Sequence, residues 1–132
     1  MIDVETAVFD AVYPFISPLV PEGGFVSEYV PQPASLPHVY LSEIGNVSDK
    51  KTADSGTKEW SAIITYEAQV FSMSREEVRK IAAAMDDGMV GLMGFTKLTG
   101  QMIPNAPDIK VFRYVARYER GVDRNGNLYK PT

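Results

Sequence analysis

The sequence predicts a single α+β domain, a largely antiparallel β-sheet with two α-helices packed on one face, in the order α-β-β-β-α-β-β. Three observations predict it. Two segments, one opening the chain and one near its middle, repeat their apolar residues at helical spacing. Several runs alternate apolar and polar residues as half-buried strands do, and neighbouring strands joined by turns favour antiparallel pairing. Finally, 132 residues suit one core, because two would each be near the size at which folding alone becomes marginal. The whole of 1–132 is therefore read as one domain, with a long polar hairpin loop at 45–57 and a C-terminal turn and tail at 122–132.

Between Asp3 and Val20, Val4, Val8, Ala11, Val12 and Phe15 recur at helical spacing, with Glu5 and Asp10 between them. Pro14 is expected to kink or end this helix, since proline lacks the amide donor and clashes with the preceding turn, and Pro18 and Pro21 prevent its continuation. Phe25 to Val30 suits a strand that Pro31-Gln32-Pro33 stops, and His38 to Ile44 reads as the next. From Gly45 to Thr57 the chain is almost wholly polar and has nothing to bury. Glu59 to Phe71 is the clearest strand: Trp60, Ala62, Ile64, Tyr66, Ala68 and Val70 point one way, and Glu59, Ser61, Thr65, Glu67 and Gln69 the other, broken only by Ile63.

Ser74-Arg75-Glu76-Glu77 is a capping box, in which Ser74 and Glu77 satisfy each other's orphan amides, and Met73 and Val78 occupy the two staple positions. Val78, Ile81, Ala82, Met85, Met89 and Leu92 then mark one face of a helix. Gly88 and Gly91 each weaken it by about 1 kcal/mol relative to alanine, so its last turns are expected to be shaped by close packing or frayed, and Gly94 can end it. Phe95 to Ile103 and Ile109 to Glu119 are the closing strands. In the second, Phe112, Tyr114, Ala116 and Tyr118 share one face, while Arg113, Arg117 and Glu119 share the other with Ile109, Val111 and Val115. Asn125-Gly126 signals a type I′ turn and a short return through Leu128 and Tyr129.

Composition narrows function. Thirteen basic against seventeen acidic residues give a net charge of −4, without the basic footprint of a protein that binds nucleic acid by neutralising phosphates. Cysteine is absent, which excludes disulfides, thiolate metal sites and cysteine nucleophiles together. The acidic start is unlike a signal peptide, and no apolar run approaches the ~20 residues of a membrane span, so the expectation is a protein kept in the cytoplasm or in an assembly built there.

No catalytic constellation is evident, and neither enzyme activity, cofactor nor metal is expected. His38 is the sole histidine and stands beside no recognisable catalytic motif. Asp86-Asp87 cannot converge on one atom, because adjacent helix residues point about 100° apart. Gly88-Met89-Val90-Gly91-Leu92-Met93-Gly94 lacks the spacing of a dinucleotide loop. Asp123 to Asn127 resembles the start of a calcium loop, but Leu128 stands where the loop needs glycine. Two features go further: the loop 45–57 is far longer than the 2–5 residues a hairpin usually needs, and the face bearing Arg113, Arg117 and Glu119 beside Val111 and Val115 mixes apolar and charged groups as docking surfaces do.

The order of segments, with an opening helix, a proline-marked entry, a long polar hairpin loop, the alternating strand EWSAIITYEAQVFS, one capped helix and the final pair FTKLTGQMIP and DIKVFRYVARYERGV, resembles the tail-terminator or tail-completion proteins of long-tailed bacteriophages and prophages. The resemblance covers most of residues 1 to 121 and rests on element order rather than on an invariant motif. It implies a non-enzymatic virion protein, typically a hexameric ring, assembled in the host bacterial cytoplasm and seated at the head-proximal end of the tail. Its partners would be other copies of itself, the tail-tube protein and the head-tail connector or neck protein. No membrane and no sequence-specific nucleic acid are implied, although the ring would surround passing DNA. In that family the hairpin loop can become ordered on assembly, which would make Asp49, Lys50, Lys51 and Asp54 contact residues, with Arg113, Arg117, Glu119 and Tyr129 as further interface candidates. Two other readings stay open: a head-closure or neck connector, and a small ligand-binding α+β domain, which would need a pocket with convergent polar groups.

Overall fold

A computed structural model describes residues 5–21, 23–27, 36–48, 61–103, 111–123 and 128–129. The elements in chain order are α1 (Glu5–Ile16), a 3-10 turn (Ser17–Leu19), β1 (Phe25–Val26), β2 (His38–Ser48), β3 (Ser61–Ser72), α2 (Arg75–Asp86), a π-helical turn (Asp87–Leu92), β4 (Thr96–Ile103), β5 (Phe112–Asp123) and β6 (Leu128–Tyr129). The α+β architecture expected from the sequence is present. The strands form one sheet in the order β1-β2-β3-β5-β4, with β6 also paired to β5. Every pairing is antiparallel except β1 with β2, which is parallel. Because β5 lies between β3 and β4 and opposes both, the two strands that flank α2 in sequence run parallel without touching.

Both helices sit on one face of the sheet and build a single core. Val8, Val12 and Ile16 of α1 and Val78, Ile81, Ala82 and Met85 of α2 are buried over Val39, Leu41, Ile64, Tyr66, Ala68, Val70, Ala116, Tyr118 and Val122. The alternation in β3 holds throughout, with Ala62, Ile64, Tyr66, Ala68 and Val70 all buried, while Glu59 and Trp60 lie outside the described residues. Pro14 does not end α1, which continues to Ile16 before tightening into the 3-10 turn. A Cβ on buried Gly88 would lie 3.3 Å from Val12 and 3.4 Å from Phe15, so glycine lets α1 pack against the end of the second helix.

Several local expectations are corrected. The strand expected to close at Ile44 runs to Ser48, since Gly45, Asn46, Val47 and Ser48 pair with Thr65, Ile64, Ile63 and Ala62 after a bulge at Glu43/Gly45. Backbone ladder bonds do not need apolar side chains, and Val47 is left 65% exposed. The first four residues assigned to the polar loop are thus strand, and the rest of 45–57 lies outside the described residues, as do Val4, residues 28–30 of the strand expected over Phe25 to Val30, and the Asn125-Gly126 turn.

Leu92, expected on the buried stripe, is 59% exposed. The Met93 amide bonds Gly88 O at 3.0 Å, five residues back, and this wider helix turns less per residue, so Leu92 stops short of the core face that Met89 still reaches. Gly94 ends the helix as expected, in the left-handed region at φ 71° with its amide on Val90 O. At the other end the Glu77 amide bonds Ser74 Oγ at 3.4 Å, the first half of the capping box. The second half is relayed: the Ser74 amide donates to Ser72 Oγ, and the Ser72 hydroxyl donates to Glu77 Oε1 at 2.5 Å. Met73 is mostly exposed, so it does not close a hydrophobic staple over Val78.

Candidate functional site: the helix-free face of the sheet

With both helices on one side, the opposite face carries the side chains in the polar phase of each strand. The register aligns them in rows. His38, Phe71, Arg113 and Ile103 form one row; Tyr40, Gln69, Val115 and Gln101 the next; then Ser42, Glu67, Arg117 and Thr99; then Gly45, Thr65, Glu119 and Thr96. Arg113, Arg117 and Glu119 are thereby brought to one surface, two residues or four apart along β5, as the alternation predicted.

A chain of polar contacts crosses this face. Arg113 Nε donates to Gln69 Oε1 at 3.1 Å, Gln69 Nε2 donates to Glu67 Oε2 at 3.2 Å, and Glu67 Oε1 accepts from Arg117 Nε and Nη2 at 3.4 Å each. The Arg113 guanidinium also lies over the Phe71 ring, 5.8 Å from its centroid, and the His38 ring meets Phe71 from the other strand at 6.4 Å. Tyr40 Oη and Ser42 Oγ are hydrogen-bonded at 2.6 Å in β2. The arginines are thus held in fixed positions: Arg113 is half-buried, whereas the Arg117 side chain keeps 52% of its surface exposed. Such a surface presents oriented charge without requiring the long side chains to be ordered on contact.

Glu67 and Gln69 were readable only as polar-face residues of an alternating strand. Their partnership with Arg117 and Arg113 depends on the β3–β5 register across more than forty residues of intervening chain, which no local pattern gives. His38 is 5% exposed, its Nε2 has no partner among the described residues, and burial holds its pKa below the ordinary imidazole value. Tyr129 is placed by its backbone pairing with Gly121. Asp49, Lys50, Lys51 and Asp54 lie outside the described residues.

The helix-covered side holds a second polar cluster of a different kind. Asp86, at the end of α2, accepts from Tyr118 Oη at 2.6 Å and from Lys97 Nζ at 2.9 Å, and Lys97 lies over the Tyr114 ring at 5.6 Å. Burial, then the neighbouring Asp86 carboxylate, pushes the Tyr118 phenol far above its ordinary pKa. For Lys97 partial burial acts downward, but hydrogen bonds and charge from Tyr114 and Asp86 outweigh it and hold the ammonium above its usual range. Arg120 adds a hydrogen bond to the Met93 carbonyl beside Gly94. These contacts fasten the end of α2 to β4 and β5. Among the described residues no three His, Asp or Glu side chains are grouped to hold a metal ion, and no helix is long and apolar enough to cross a membrane.

No protein-family model matches the chain, and no curated protein sequence matches it. The fold is nonetheless shared. A chain in the solved virion of a native gene transfer agent particle is similar over 84% of this chain and 90% of its own length, with a TM-score of 0.58 and 19% identity. At that identity the likeness is one of fold.

Proposed function

We propose that this chain is a structural protein of a phage-like virion, and within it the tail terminator. Copies would close into a ring, hexameric as the resemblance implies, at the head-proximal end of the tail. The ring would stop polymerisation of the tail-tube protein and give the head-tail connector its docking surface. The observation that carries this reading is the fold shared with a chain of the gene transfer agent virion over 84% of this chain and 90% of that one. The element order of the sequence and the preorganised helix-free face support it. A ring needs heterologous contacts between two different surfaces of each subunit. Arg113, Arg117, Glu119 and Tyr129 would lie on one, and the loop residues Asp49, Lys50, Lys51 and Asp54 would supply the other. A net charge of −4 suits a ring through which DNA must pass without adhering.

Electron microscopy of particles produced without this chain tests the reading. Overlong tubes without heads are expected. Tails of normal length beside detached, leaking heads would move the chain to the neck, and intact particles would overturn a role in the virion's tail altogether.

A further inference from the structure

A pocket of about 270 Å³ opens where β1 ends, between the first half of α1 and the sheet. Buried Leu41 of β2 and Tyr66 of β3 form its inner wall, and α1 supplies Glu5, Thr6, Phe9 and Asp10. At about 100° per residue, Glu5 and Asp10 stand roughly 140° apart around the helix with Phe9 and Thr6 between them, so two carboxylates flank an aromatic ring. That ring is held by stacking on Phe25, with 4.5 Å between the centroids. Among the described residues no basic side chain lines the pocket, and Asp10 makes neither a hydrogen bond nor an ion pair.

This lining selects its ligand. Two carboxylates without a counter-charge exclude an anion, although a helix N-terminus alone would attract one. A hard divalent metal ion takes about six to eight oxygen ligands and gains nothing from Phe9 or Leu41. The volume falls below the roughly 300–1,000 Å³ usual for drug-sized ligands and cofactors, and matches one amphipathic group. We infer that the pocket is a binding site for an alkylguanidinium, with the cation between Asp10 and Glu5 beside the Phe9 ring and the methylene stem against Leu41 and Tyr66. A planar guanidinium pairs with carboxylates and packs on an aromatic ring at once, which a compact, strongly hydrated ammonium does less well, and its stem accepts apolar surroundings. The pocket lies on the helix side of the sheet, away from Arg113, Arg117 and Glu119, so it goes beyond the role proposed above and does not rest on it.

The test is an amide-resolved NMR titration of the full chain with three probes. N-acetylarginine N-methylamide presents the group as a polypeptide does, agmatine presents it as a free small cation, and N-acetylcitrulline N-methylamide keeps the shape of the first without its charge. Saturable shifts centred on residues 5–10 and Leu41 are expected with a guanidinium probe and none with the citrulline. A response to the blocked arginine assigns the site to an arginine side chain of a partner chain, and a response to agmatine alone assigns it to a free cation. Asp10 is exposed, so Asp10→Asn should leave the rest of the spectrum unchanged while weakening binding by about tenfold or more, the effect of one charge-assisted hydrogen bond, and Glu5→Gln should act in the same direction. No saturable shift with either guanidinium, an equal response to the citrulline, or undiminished binding by Asp10→Asn would each overturn the inference.

Discussion

The two faces of the sheet use the same strands for different ends. On the helix-covered face nearly every side chain is apolar and buried, and its polar groups, Asp86, Tyr118 and Lys97, converge on a single carboxylate that locks a helix end in place. On the helix-free face the polar groups form an extended chain from Arg113 through Gln69 and Glu67 to Arg117, and the last of these stays half in solvent. Burial carries stability, whereas an exposed ion pair typically contributes only about 0–1 kcal/mol. The helix-covered face cannot change without cost to the fold, and the helix-free face buries His38, Tyr40 and Gln69 but leaves Arg117 open to solvent, where a partner could meet it.

Substitutions on the helix-covered face should therefore produce the largest losses. Ile81 is fully buried beneath the sheet, and Ile81→Ala should cost about 2–5 kcal/mol, read as a lower denaturation midpoint at unchanged m-value. Gly94→Ala combines the left-handed φ of 71° with a Cβ directed at the Arg120 guanidinium, and should cost about 1–3 kcal/mol in the same measurement. Tyr118→Phe removes one of the two donors to Asp86 while keeping the ring, and should cost about 1–2 kcal/mol by thermal unfolding. A cost near zero would show that the Asp86 cluster does not fasten α2.

The pH dependence sharpens the same contrast from the other face. His38 is held below its ordinary pKa by burial, so the unfolded chain binds its proton more readily than the folded one. Its contribution is complete above the unfolded value of about 6.5 and is lost as pH falls through the depressed folded value. The midpoint temperature should therefore decline between pH 7 and pH 5, and His38→Phe should flatten that decline.

Legibility divides along the same line as the faces. The alternation of Ala62, Ile64, Tyr66, Ala68 and Val70 and the stripe of Val78, Ile81 and Met85 gave the core, because burial follows local period. Leu92 departed from its stripe because consecutive glycine-rich turns adopt a π-helix, which shifts the angular phase without changing the apolar pattern. The strand through Ser48 was hidden because polar residues can extend a backbone ladder. On the helix-free face Arg113, Arg117 and Glu119 could be assigned to a common surface from β5 alone, but Gln69 and Glu67 as their partners required the cross-strand register.

If the exposed end of the helix-free face serves assembly and not folding, the double variant Arg117→Ala/Glu119→Ala separates the two when thermal midpoint and yield of headed tails are measured on the same preparation. A midpoint within about 5 °C of the native chain is expected, as for surface charges, together with a severe loss of headed tails. A native yield of headed tails, or a collapse of the midpoint, would contradict it.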